Sequence, residues 1–465
     1  FAIWDSSSQR LMLVRDCMGQ KPLYYARWEN TFLFASEIKA ILQHPAAQRE
    51  VNSEILPEYL ALGYVLPPNT LFKNIYKLAP GHFLMVESDA SIQSRAYWKP
   101  TIALDESTSR TEQARTLRKK LENAVEMRLM SDVPLGTFLS GGVDSTTITA
   151  LTGNMTGQAV KSFTVGFDFQ KDSIGDRKFN VDLHHARDAA AALGCEHREI
   201  VLHHDELLTE LLPQLIYAMD EPIADTAIMQ TVFVAALARV HGVPVLLSGD
   251  GADEIFGGYP FFQAANRIER YKSLVPGVLR DYLIHPFIQQ LPDSGRFVSL
   301  HKLADKAALH SPGEHFLSWE SNHRFAGIHA VLQDQDIAQR GTVGLLQKLD
   351  SMLADLPVKN MLDRIAYARL RLWLAEDNNM RVDKISMAMS IEVRSPFEDH
   401  EMVDFGLSVP LKNKLPDGGK AVLKDAVADL IPEESIKRAK WGFEPPMSEW
   451  LRTIFRPLVD TYLSK

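Results

Sequence analysis

Two stretches of the 465-residue chain carry residue types that could do chemistry. The first, FLSGGVDSTTITAL from Phe138 to Leu151, sets Ser140, Gly141, Gly142, Asp144, Ser145 and Thr146 between apolar runs. Glycines let the backbone come close to a ligand. Amides at a helix start point at an anion, and the aligned peptide dipoles favour negative charge there. Ser140, Ser145 and Thr146 add hydroxyl donors, so the stretch reads as a phosphate cradle. It is not a Walker A loop, because no Gly-Lys-Ser/Thr follows and the lysine that reaches β- and γ-phosphates is missing. Asp144 stands there instead. A bare carboxylate repels a polyphosphate unless a metal joins them, and Mg2+ binds through one or two carboxylates plus phosphate oxygens. Asp144 therefore calls for a partner carboxylate. Taken alone, the stretch also suits a Gly-Gly turn with an N-capping aspartate.

The second stretch, LLSGDGADEIFGGY from Leu246 to Tyr259, supplies candidates for that partner. Ser248 and Gly249 precede Asp250, Asp253 and Glu254. Three carboxylates so close together at the end of an apolar strand repel one another without a cation. Asp253 is the expected second Mg2+ ligand, and Gly257 and Gly258 allow close backbone approach.

Both stretches need a scaffold that ends strands at a common edge. From about residue 112 the pattern supplies one. A helical repeat (Leu117, Leu121, Ala124, Val125) leads into the apolar strand VPLGTFLS. The helix TTITALTG, closed by Gly153, the strand KSFTVGF, a helix ending at Gly194, the strand HREIVL, more helix and the strand VPVLLSG follow. Strands alternating with helices predict a parallel sheet covered on both faces. In such sheets ligands bind beyond the carboxyl ends of the strands, which is where both glycine stretches fall. Residues from about 265 to 465 read as mainly helical. Residues 1–98 read differently: FAIWD, LMLVRD, PLYYAR and FLFAS are short strands separated by turns, with short helices in SEIKAILQH and PEYLALGYV. Asp105 to Thr111 make a linker.

Composition is that of an ordinary globular protein, with net charge −9 from 59 acidic and 50 basic side chains. Basic residues are scattered without interleaved aromatics, so no nucleic-acid stripe is expected. No apolar run approaches the ~18 residues of a membrane span, and no secretory leader is evident. The expected compartment is the cytoplasm. Cys17 and Cys195 make neither a disulfide framework nor a metal spacing. The chain starts with Phe1 inside an apparent strand, without an initiator Met, and is expected to be a fragment.

Taken together, these stretches resemble the asparagine synthetase family, glutamine-dependent amidotransferases with a PP-loop ATP pyrophosphatase domain. SGGVDS is similar to the pyrophosphate loop and SGDGADEIFGGY to the second acidic loop. DNNMRVDKISMAMSIEVRSPFEDHEMVDF and GGKAVLKDAVADLIPEESIKRAKWGFEPPMSEWL resemble the family's helical and C-terminal lysine segments. RDCMGQKPLYY and FASEIKAIL resemble the second half of its class II glutaminase.

The resemblance implies an α/β fold: a partial N-terminal nucleophile β-sandwich over 1–98, then a PP-loop parallel-sheet domain with a mainly helical C-terminal portion over 112–465. It implies ATP, Mg2+, aspartate, and glutamine or ammonia as the small molecules, with β-aspartyl-AMP as intermediate. A homodimer stays open. Leu139, Ser140, Gly141, Gly142, Asp144, Ser145, Val165, Ser248 and Gly249 are the implied ATP contacts, although Val165 also suits an ordinary core valine. Asp144 and Asp253 are the implied metal ligands, and Asp250 and Lys440 the implied catalytic groups, although Lys440 also suits a solvated basic run. Arg394 with Glu392 is either a carboxylate clamp or a structural ion pair. Neither cysteine holds the position of the glutaminase nucleophile, which this chain lacks. Another acceptor carboxylate, or a non-catalytic relative, remains an alternative.

Overall fold

The computed structural model describes residues 1–28, 31–89, 91–203, 207–292, 297–358, 360–442 and 445–463. The expected strands and turns of the first 98 residues form two antiparallel sheets. One orders β1 (Ala2–Asp5), β2 (Arg10–Val14), β6 (His82–Val86) and β7 (Ile92–Ala96); the other orders β4 (Thr31–Ala35), β3 (Tyr24–Trp28) and β5 (Ile75–Lys77). Alternating apolar residues of both sheets meet in one core, with Leu13 and Leu84 from the first against Tyr25 and Phe32 from the second. That is a small β-sandwich.

The second sheet system is wholly parallel, in the order β10 (Glu196–Leu202), β9 (Lys161–Phe167), β8 (Leu135–Phe138), β11 (Val245–Leu247), β12 (Glu392–Arg394). From β8 the chain adds β9 and β10 on one side and then β11 and β12 on the other, so the strand order switches between β8 and β11 and opens a crevice at their carboxyl ends. Both glycine stretches begin there.

Helices cover both faces. Arg110–Arg128 and Val143–Thr156 belong to the apolar cluster on one side, and Ile228–Val240 to the cluster on the other. Helix Val143–Thr156 is rich in threonine, a modest helix former. Its hydroxyls are satisfied locally: Thr147, Thr149 and Thr152 each donate to the carbonyl four residues back. Thr149 also shares a 2.8 Å hydrogen bond with Thr137 of β8, which holds the helix against the sheet.

Several expectations are corrected. Gly153 does not close this helix. It continues to Thr156 and ends at Gly157, whose φ of +65° suits a left-handed cap. The linker stops at Ser109, whose side chain caps helix Arg110–Arg128. The C-terminal half is helical as expected except for β12, a three-residue strand embedded in it. Among the described residues no helix is long and apolar enough to cross a membrane.

Candidate active site

A cavity of about 800 Å³ opens at the β8/β11 crevice. Leu139, Ser140, Gly142, Asp144, Ser145, Val165, Ser248, Gly249, Asp250, Asp253 and Lys440 all line it, so most of the residues singled out by type converge. Gly141 does not. It turns the chain at φ +74°, where an added Cβ would lie 2.3 Å from the His185 carbonyl carbon. Past it, Gly142 opens helix Val143–Thr156 with no side-chain cap, which leaves the first amides directed at the cavity. Ser145 Oγ is 3.0 Å from Ser140 Oγ and accepts from Ser140 N, so the two hydroxyls brace the turn.

The second loop sits on the first. A Cβ on Gly249 would fall 2.8 Å from both Asp144 Cβ and Ser145 N, so only glycine permits this contact. Asp144 and Asp253 then face each other across one ammonium. Lys420 Nζ lies 2.5 Å from Asp144 Oδ2 and 2.5 Å from Asp253 Oδ1, which puts the two carboxylate oxygens no further apart than twice that contact. Lys440 Nζ takes the other Asp253 oxygen at 2.7 Å. Burial pushes the Asp253 carboxyl up, but Lys420 and Lys440 more than offset it and hold the group below the usual carboxylate range. At Asp144 burial prevails over Lys420, and the carboxyl stays above its ordinary value. Next along, Glu254 is buried beside Asp253, and both effects push it up to about 7; it accepts from Tyr259 Oη at 2.6 Å.

Lys420 was not singled out by sequence, although it follows the conspicuous Asp-Gly-Gly of PDGGK. All four residues Asp417 to Lys420 have positive φ. The Gly-Gly pairs of the two segments explain each other. A Cβ on Gly258 would sit 1.9 Å from Asp253 Oδ1 and 2.1 Å from Lys420 Cε, and one on Gly419 would sit 2.3 Å from the Gly257 carbonyl oxygen.

Arg438 was also missed. Its Nη1 donates to Ser140 O at 2.6 Å while Nη2 pairs with Asp182, pinning the lysine segment to the glycine turn. Phe443 and Glu444 of that segment lie outside the described residues. A third omission, Arg381, donates to Asp225 (2.6 Å), Thr231 (2.5 Å) and Asn378 (2.7 Å) in the cavity wall, within the electrostatic reach of Asp250.

Arg394 and Glu392 stand apart, at the end of β12. Arg394 pairs with Glu392 at 2.9 Å and donates to the carbonyls of Arg128 and Met130, closing helix Arg110–Arg128. In this geometry Arg394 and Glu392 form an ion pair with each other and are not among the residues lining the cavity. The thiols of Cys17 and Cys195 are both raised by burial, the opposite of an activated nucleophile.

Sequence comparison decides the family. The asparagine synthase pattern matches residues 116–465. The chain belongs to the asparagine synthase family. A glutamine amidotransferase domain pattern matches residues 1–98. The glutamine-hydrolysing asparagine synthetase 1 of Bacillus subtilis is 30% identical over 482 residues, spanning all of this chain and 72% of the relative. Asparagine synthetase 3 of the same organism is 28% identical, over 98% of this chain and 69% of the relative. The family resemblance extends further: amidase chyE of Penicillium rubens is 25% identical over 97% of this chain and 70% of its own length. Membership of this asparagine synthase family implies ATP and other small molecules as substrates.

Proposed function

We propose that this chain activates aspartate with ATP as β-aspartyl-AMP and passes the acyl group to ammonia, giving asparagine, AMP and pyrophosphate. The observation that carries this reading is the convergence of Asp144 and Asp253, from two loops, on one cavity shared with Lys420 and Lys440.

The donor set fits Mg2+. Asp144 Oδ1 is buried without a hydrogen-bond partner among the described residues, and two close carboxylates suffice when phosphate oxygens complete the shell. Among the described residues no group of three His, Cys, Asp or Glu side chains is placed to hold a metal by itself, consistent with an ion that arrives with its nucleotide. Asp144 and Asp253 would hold it; once bound, it offsets charge on the leaving pyrophosphate.

The chain's own groups cover the remaining tasks. Leu139, Val165 and the Ser248–Gly249 backbone give the adenosine a surface, while Ser140, Ser145 and the helix amides take the phosphates. A carboxylate oxygen of aspartate attacks the α-phosphorus, and pyrophosphate leaves with the bonding pair. Lys440 stabilises the charge that accumulates. Ammonia then attacks the acyl carbon, AMP departs, and Asp250 accepts the proton released. Glutamine as the source of ammonia is supported by the amidotransferase pattern over 1–98.

A second reading keeps the chemistry and changes the acid, because the family includes a relative named as an amidase. An acceptor screen separates them. The full chain is given MgATP, ammonia and a panel of carboxylic acids, and AMP is measured. Aspartate should exceed every other acid by at least about tenfold, a difference of 1.4 kcal/mol in transition-state binding. Preference for another acid selects the second reading, and no AMP with any acid rejects both.

A further inference from the structure

One helical run stands between the cavity and the N-terminal sheets. Met361–Ala368 is α-helical, Arg369–Asn378 is π-wound, and Asn379–Ala388 is α-helical again. Leu374, Asn378, Arg381 and Val382 of this run line the cavity. A different stripe meets the N-terminal region. Arg15 Nη1 donates to Glu376 Oε1 at 3.1 Å, and Lys77 Nζ lies 3.3 Å from Glu376 Oε2. Arg15 Nη2 reaches Met380 Sδ at 3.4 Å, and Lys21 Nζ donates to Asp383 Oδ1 at 2.5 Å.

The Glu376 cluster is sealed from water: the side chains of Arg15, Lys77 and Glu376 are 1%, 3% and 0% exposed. Its members are held from outside as well. Arg15 also donates to the carbonyls of Leu78, Lys21 and Gly19, and Lys77 to Val65 O and Glu221. A buried charge whose partner moves away is left uncompensated, so such a group keeps one place. π-Winding is uncommon, and where it occurs inside helices it is frequently at functional sites. A clamp on Glu376 fixes the register of the wide turn that also carries Asn378. Asn378 in turn receives Arg381 Nη2, and its own Nδ2 is buried without a hydrogen-bond partner among the described residues.

We infer that Glu376 is a positioning residue: Arg15 and Lys77 of the N-terminal region hold it, and through the π-wound turn they hold Asn378 and Arg381 in place in the cavity wall that Asp250 also lines, the side we assign to the acceptor acid. The inference rests on the reading that the cavity binds an acceptor acid beside ATP. It makes the first 98 residues part of the synthetic site without contributing a group to the chemistry.

The test uses the full chain. Glu376→Gln keeps the shape and removes the charge; Lys77→Met removes one of its two cations and serves if the first variant does not fold. By hydrogen–deuterium exchange, amides of residues 373–382 should exchange at least about tenfold faster than in the parent, while 140–145 and 248–254 stay unchanged. With ammonia and MgATP, KM for the acceptor the parent uses should rise about tenfold, as expected for a slightly displaced binding group, and KM for ATP should change less than about twofold. Glu376→Asp should recover part of the loss. Exchange rising equally in all three segments, both KM values rising together, or a folded variant with parent-like exchange and KM would each overturn the inference. A parent that turns over no acid rejects the functional reading instead, and the exchange comparison still decides whether Glu376 holds the turn.

Discussion

Lys420 joins the two acidic loops, and the consequence can be measured. Without its ammonium, Asp144 would lose its ion-pair partner while buried against Asp253, which would keep only Lys440. Lys420→Met should therefore cost about 3–5 kcal/mol. Added Mg2+ should restore more of the thermal unfolding temperature in the variant than it adds to the parent; an equal response in both would show that the two carboxylates do not share a cation. Glu254 gives a pH signature. Its carboxyl is raised from 4.5 to about 7 in the folded chain, so the folded state binds the proton more tightly. Stability from this group is full below about pH 4.5 and is lost as pH rises to about 7. Over that window the parent should lose about 3 kcal/mol relative to Glu254→Gln, measured by denaturant unfolding; parallel pH profiles would contradict it. Asp144 and Asp253 were legible because a carboxylate in a glycine turn has few uses. Lys420 was not, because its meaning depends on a partner 276 residues away.

At the scale of elements, the site is built by glycine contacts between segments. Gly249→Ala forces a Cβ against the start of helix Val143–Thr156. We expect a stability loss of about 1–3 kcal/mol together with at least about a hundredfold loss of turnover, since the two acidic loops must separate. Gly157→Ala is the control. Its added Cβ meets no atom of the described residues within 4 Å, so it should show only the modest penalty of its left-handed φ and near-parent turnover. A Gly249→Ala enzyme with parent-like turnover would show that the loops need not touch. The alternation of strands and helices was readable in apolar runs and turn residues. β12 was not, because three residues, Glu392–Arg394, carry no periodicity and pair with β11 only through the fold. Without that strand, Arg394 could not be recognised as the cap of helix Arg110–Arg128.

For the whole molecule, strand order does what no single motif can. β11 lies beside β8 although β9 and β10 intervene in the chain, and this places the two acidic loops side by side at the crevice. The fold class was legible from the change of pattern near residue 112 and from family-like stretches in one order. The closeness of the N-terminal sheets to the cavity wall was not, since Arg15 and Glu376 read as unrelated charges until 361 residues of chain bring them together. The central claim is that both loops grip one nucleotide tail. Its most direct test is aspartate-dependent pyrophosphate release from MgATP with ammonia, compared between the parent and Asp144→Asn. The account predicts that the variant is slower by about a hundredfold or more; release within about twofold of the parent would contradict it.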